Sequence, residues 1–139
     1  MGANKVAAVT GGSAGIGKVI CEQLLEQGYE VVSLARRRTE IAHPRLHSIE
    51  VDLADRAATA EAVQAMVRRH EVTTIVHNAG VIRAALLPDV KLSDLDALVD
   101  LHLGCAVQML PAKTLRACKP LSTTSRASSR KMDRSSSSP

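Results

Sequence analysis

"AVTGGSAGIGKV", residues 8–19, decides how the rest of the chain is read. Ala8 and Val9 continue an apolar run that starts at Val6, as in a strand buried on both faces of a parallel sheet. From Ile16 onward the apolar residues recur at Val19, Ile20 and Leu24, the spacing of one helical face. Between strand and helix lie Gly11, Gly12, Gly15 and Gly17, with only Ser13, Ala14 and Ile16 for side chains. Glycine loses more backbone freedom on folding than any other residue, so this density implies that something must approach the turn closely. A glycine-rich turn into a helix N-terminus aims backbone N–H groups and the positive end of the helix dipole at one spot. That makes an anion site on which a pyrophosphate can lie directly. A ligand-free tight turn would carry the same glycines, so the reading rests on what the remaining sequence adds.

Downstream, "EVVSLA" (30–35) reads as a second strand after Gly28, which stands where a helix takes its left-handed cap. "LHSIEVDL" (46–53) reads as a third strand. Asp55 is placed to cap a helix that runs to about His70, with Ala62, Val63, Met66 and Val67 inward. Arg68, Arg69 and His70 suit the negative end of that helix. "TTIVHNAG" (73–80) is a fourth strand and turn. A final amphipathic helix is expected from about Ser93 to Leu110, carrying Leu95, Leu98, Val99, Leu101 and Leu103. Strands alternating with helices predict an α/β fold, a Rossmann-like doubly wound parallel sheet of about four strands over residues 1–111.

Composition narrows the partners. The chain has 139 residues, which suits one domain. Tyr29 is its only aromatic residue, and single-stranded nucleic acid is usually gripped by aromatic stacking. Three cysteines without a CxxC pair suit reduced thiols, and no run approaches the ~18 apolar residues of a membrane span. "MGANKV" lacks the regions of a signal peptide, and Val6 fails the myristoylation pattern, so a cytoplasmic location is expected. The net charge of +4 is an uneven average. Residues 1–111 hold 11 Lys and Arg against 13 Asp and Glu, whereas residues 112–139 hold 7 against 1. That last segment has 8 serines, no periodicity and few large apolar residues, and is expected to be disordered.

Two further stretches converge with the glycine loop. "TGGSAGIG" carries Thr10, Gly11, Gly15 and Gly17 in a TGxxxGxG pattern, "VDL" carries Asp52 and Leu53, and "HNAG" carries Asn78, Ala79 and Gly80. In these motifs, over residues 5 to about 111, the sequence resembles the short-chain dehydrogenase/reductase family. The resemblance implies a dinucleotide on the loop, with Ser13 and Ile16 beside the glycines. It places Asp52 beside the adenine, with Leu53 after it, and the backbone of Asn78, Ala79 and Gly80 along the cofactor.

The end of the second strand bears on which dinucleotide. A carboxylate there would accept from the ribose 2′-hydroxyl and repel a 2′-phosphate. The sequence has "ARRR", whose Arg36 and Arg37 suit charge-assisted bonds to a 2′-phosphate. In the resembled family a basic residue here goes with NADP, so NADP(H) is preferred and NAD(H) stays possible. A solvated charge run would look the same.

Hydride exchange between nicotinamide and an alcohol or carbonyl also moves a proton, which needs a general acid/base and a donor to the substrate oxygen. In the resembled family these are a Tyr, a Lys four residues later, and a Ser on the preceding strand. YxxxK does not occur here, and Tyr29 is followed by Ser33. His102 falls where the family has an Asn that holds a relay water, and it is a weak candidate for that role. His43, His47, His70 and His77 show no metal-ligand spacing, so no metal site is expected.

The expected function is therefore an oxidoreductase of this type by resemblance. The chain keeps the cofactor half and is expected to be inactive alone, and its small alcohol or carbonyl substrate is not legible. Self-association is expected through the last helix or the exposed edge of the fourth strand. The alternative is a dinucleotide-binding regulatory module whose basic tail contacts nucleic acid or an acidic partner. A reading-frame shift near codon 109, in GC-rich codons, would account for the abrupt change in composition. The nucleotide sequence tests this, because a shifted frame should then encode a serine strand and a YxxxK helix.

Overall fold

Four parallel strands form one sheet, as the sequence implied: β1 (Val6–Thr10), β2 (Glu30–Ala35), β3 (Leu46–Glu50) and β4 (Val72–His77). Their order across the sheet is β3-β2-β1-β4. The computed structural model describes residues 5–82 and 87–114. Helix α1 (Gly15–Glu26) joins β1 to β2, and α2 (Arg56–Arg69) joins β3 to β4. After a 3₁₀ turn at Leu87–Asp89 come α3 (Leu92–Val99), a π-helical turn (Asp100–Gly104) and α4 (Cys105–Thr114), with no residue between them. Strand order runs outward from β1 in both directions, so the switch point lies between β1 and β4 at the C-terminal ends of the strands. Among the described residues, no helix is long and apolar enough to cross a membrane.

Alternation along the strands sends side chains to two faces. Val9 of β1 and Val31 of β2 meet Cys21 and Leu25 of α1. Ala8, Val32 and Leu34 point the other way, to Ala62, Val63 and Met66 of α2 and to Leu101, Cys105 and Met109. Every residue of β1 is buried, because helices cover both sides of it.

Local chemistry sets the boundaries. Asp55 caps α2 by accepting from the N–H groups of Ala57 (2.9 Å) and Ala58 (3.0 Å). Gly28 closes α1 at φ +89°, with its N–H on the Leu25 carbonyl and the Tyr29 N–H on the Leu24 carbonyl. This is the paired bonding of a Schellman end. Arg45 adds donors to the carbonyls of Leu25 and Gly28. The β1–β4 ladder skips one residue between Val6 and Ala7. The Thr73 hydroxyl fills the gap by bonding both the N–H and the carbonyl of Val6.

Three expectations need correction. The inward side of α1 is Gly17, Cys21 and Leu25, with Ile20 and Leu24 half-buried against the same cluster, whereas Ile16 and Val19 are exposed. The last helix is longer than expected and runs through Pro111 to Thr114, so residues 112–114 are helical. Its inward residues are Leu101, Cys105 and Met109, spaced four apart on the face that packs towards α2 and β4, while Leu95, Val99 and Leu103 lie on the opposite face and are exposed. The disorder expected beyond Thr114 lies outside the described residues.

Candidate functional site

The glycine loop leaves β1 with its backbone already committed. Gly11 has φ +72°, and its N–H donates to the Leu34 carbonyl at 2.8 Å, which carries the β1–β2 pairing one step past the strand. A side chain on Gly12 would strike Ser33 Oγ and sit 2.8 Å from Cys21 Sγ. One on Gly17 would collide with the Gly11 carbonyl and lie 2.5 Å from Asn78 Nδ2. Gly11 itself faces the Ala79 backbone at 3.0 Å. Three of the four glycines are therefore required by the protein's own packing. Gly15 differs: a Cβ there would meet nothing within 4 Å, and its φ of +56° is what calls for glycine. Gly15 is thus the one glycine of the four with open space where a side chain would stand.

Thr10 ties this loop to the end of β4. Its Oγ1 accepts from the N–H groups of both Asn78 and Ala79 at 3.0 Å and lies 3.0 Å from His77 Nδ1. Asn78 Nδ2 in turn donates to the Gly11 carbonyl at 3.3 Å. "TGG" and "NAG" therefore form one hydrogen-bonded unit across the switch point. Helix α1 begins here with Ala14 at its N-cap, no side-chain cap bond and no acidic residue in its first turn. Its leading N–H groups and dipole point out of the fold unneutralised by any side chain.

Around this point lies a cleft of about 540 Å³. Of the predicted site residues, Gly11, Ser13, Arg36, Arg37, Asp52, Leu53, Asn78, Ala79 and Gly80 line it. Thr10, Gly15, Ile16 and Gly17 do not; Thr10 and Gly17 act through the hydrogen bonds and packing just described. Asp52 Oδ1 accepts from the Ala54 N–H at 3.0 Å, which fixes the turn into α2. Leu53 is buried beneath that turn. Arg36, Arg37 and Arg38 are exposed at the end of β2.

Sequence reasoning missed several contributors. Arg38 and Glu40 also line the cleft, so a carboxylate shares it with the arginine run. Buried Thr39 anchors that loop, with its hydroxyl 2.7 Å from Ser33 Oγ and its N–H donating to Ser48 Oγ at 3.2 Å. Such hydroxyl pairs have no sequence signature, because Ser and Thr are common in loops and strands alike. Asp100, in the π turn, takes bonds from Arg56 Nε at 2.6 Å and from Arg56 Nη2.

His102 stands behind the cleft wall. Its Nε2 lies 3.2 Å from the Val81 carbonyl and 3.4 Å from the Val81 N–H, and its ring abuts Gly80, where a Cβ would come within 2.7 Å of Cε1. It braces the end of the fourth turn and does not line the cleft. Burial pushes the thiols of Cys21 and Cys105 up from their ordinary value, so neither is an activated nucleophile.

Comparison with known proteins fits this geometry. The family described as short chain dehydrogenase matches residues 5–117. The chain belongs to that family. A relative named only as an uncharacterized short-chain type dehydrogenase/reductase, from Sinorhizobium fredii, is 34% identical over 106 residues, 71% of this chain and 40% of its own length. A short-chain dehydrogenase/reductase from Burkholderia vietnamiensis superposes with a TM-score of 0.73 at 28% identity, covering 84% of this chain and 59% of that one. A metagenomic short-chain oxidoreductase solved in complex with NADP gives a TM-score of 0.71 at 30% identity, covering 80% of this chain and 55% of that one. The chain spans less than half the length of the curated relatives it matches.

Proposed function

We propose that this short-chain dehydrogenase chain holds NADP(H) in the cleft at the C-terminal ends of its strands, as the cofactor-binding half of an oxidoreductase. The observation that carries this is the meeting, in one cleft, of an uncapped helix N-terminus and the Arg36–Arg37–Arg38 run. The first suits a pyrophosphate. The second suits a ribose 2′-phosphate, which guanidinium groups bind with paired, charge-assisted bonds. Gly15 leaves open space at the helix start, so the donor set and the room fit the group. When bound, the nicotinamide would supply or accept hydride from an alcohol or carbonyl.

The chain's own residues position that group. Ser13 and the N–H groups of the first turn of α1 hold the phosphates, Arg36 and Arg37 hold the 2′-phosphate, and Asp52 and Leu53 border the adenine. Asn78, Ala79 and Gly80, locked by Thr10, form the floor. The structure similar to this one and solved with NADP supports the same choice of cofactor. YxxxK is absent from the sequence, so binding without turnover is the expected behaviour of this chain alone. Its exposed apolar stripe of Leu92, Leu95, Val99, Leu103, Val107 and Leu110, together with the half-buried β4 edge, supports self-association in solution.

Calorimetric titration of the full chain with NADPH and with NADH tests the reading. NADPH is expected to bind at least tenfold more tightly, and Arg36→Ala with Arg37→Ala to erase that preference. Glu40→Gln should raise NADPH affinity modestly by removing a like charge. No binding of either dinucleotide, or tighter binding of NADH, would sink the assignment.

A further inference from the structure

A second group of chemically active side chains gathers at the other end of the sheet. Glu30 opens β2, His47 is the second residue of β3, and His70 ends α2 just before β4. Because the strands are parallel, all three lie at their N-terminal edge, a strand's length (about 15–20 Å) from the dinucleotide cleft. Glu30 Oε1 is 2.6 Å from His70 Nδ1 and 3.2 Å from His47 Nε2. The two imidazole rings are 4.6 Å apart between centroids. One ligand atom from each residue falls within 4.8 Å of the others.

We propose that Glu30, His47 and His70 form a binding site for one divalent transition-metal ion, with zinc as the best match. Two imidazole nitrogens and one carboxylate oxygen are the donor set of borderline ions, and hard ions such as magnesium or calcium prefer all-oxygen shells. Zinc bonds of about 2.0–2.2 Å in a tetrahedron put neighbouring ligand atoms roughly 3.3–3.6 Å apart. Both Glu30–histidine pairs stand closer than that, at 2.6 and 3.2 Å, each a hydrogen-bonding contact that the ion would replace, and all three ligand atoms lie within 4.8 Å of one another.

The ligands are also well anchored. The Glu30 N–H donates to the Lys5 carbonyl at 2.9 Å, His47 is fixed by its pairing with Val32, and the His70 N–H donates to the Met66 carbonyl at 2.8 Å. The His70 side chain is 13% exposed and that of Glu30 25%, while His47 is 43% exposed and marks the side from which an ion enters and a fourth ligand such as water would bind. A bound ion would clamp β2, β3 and the α2–β4 junction together. The cluster was invisible as a motif because its members come from positions 30, 47 and 70, brought together only by the sheet order β3-β2-β1-β4.

Zinc titration of the full chain against a chromogenic chelator tests this, with cobalt(II) as a visible-band probe of coordination. One ion per chain is expected, with the absorption of a four-coordinate N/O site and a higher melting temperature in zinc. His47→Ala and His70→Ala should each weaken binding at least tenfold and remove the melting shift. Glu30→Gln, which keeps the shape and loses the charge, should weaken it as well. His43→Gln and Cys118→Ser should bind as the parent does, and circular dichroism checks that every variant folds. NADPH titration with and without zinc should give the same affinity, so failure of one site leaves the other intact. Zinc binding that survives both histidine substitutions, or no zinc-dependent melting shift in the parent chain, would overturn the site.

Discussion

The two ends of the sheet solve opposite problems with opposite materials. At the C-terminal end the working groups are backbone: uncapped N–H groups at the start of α1 and a turn in which side chains have been pared away. At the N-terminal end they are side chains, two imidazoles around one carboxylate. A backbone site must be held in place by everything around it, so its neighbours are tightly packed and intolerant. A side-chain site needs only that a few strands arrive in order, so single members can change without disturbing the fold.

That contrast can be broken by measurement. Gly17→Ala carries the largest expected effect: its methyl would meet the backbone carbonyl of Gly11, which cannot yield without moving the loop, and crowd Asn78 Nδ2, and should cost about 3 kcal/mol in urea unfolding. Stability equal to the parent would show the loop to be looser than its contacts imply. Thr10→Val keeps the shape and strands the N–H groups of Asn78 and Ala79, for an expected loss of roughly 2 kcal/mol. Asp55→Ala removes the cap of α2 and should cost about 1 kcal/mol in the same assay. At the opposite edge, His47→Ala in metal-free buffer should cost no more than about 0.5 kcal/mol, since the side chain is 43% exposed. If it destabilises as much as Gly17→Ala, the distinction between the two edges fails.

The same contrast explains what was legible beforehand. The cleft could be read because a turn, a strand end and a cap are local, and their residues sit within a few positions of one another. Asp55 and Gly28 were assigned to the right helix ends for that reason, while the third strand stops at Glu50, short of the expected Leu53. The packing share of the glycines was not legible, since Gly12 answers to Ser33 and Cys21, and Gly17 to Gly11 and Asn78, contacts that only the folded chain creates. Ile16 and Val19 were expected inside because hydrophobicity alone does not fix the helix phase, which in the folded chain turns Gly17, Cys21 and Leu25 to the sheet. Glu30, His47 and His70 carried no signal at all, being three ordinary polar residues until the strands are ordered.

The π turn at Asp100–Gly104 has a consequence for how this chain tolerates change in length. The i→i+5 bonding of that turn takes up one residue more than an α turn, so losing one residue there would restore i→i+4 bonding and leave Cys105 and Met109 on the core face. Losing one residue between Cys105 and Met109 meets no such slack and would rotate Met109 by about 100°, out of the core. Scanning by single deletion would find the wide turn the most forgiving part of the helix.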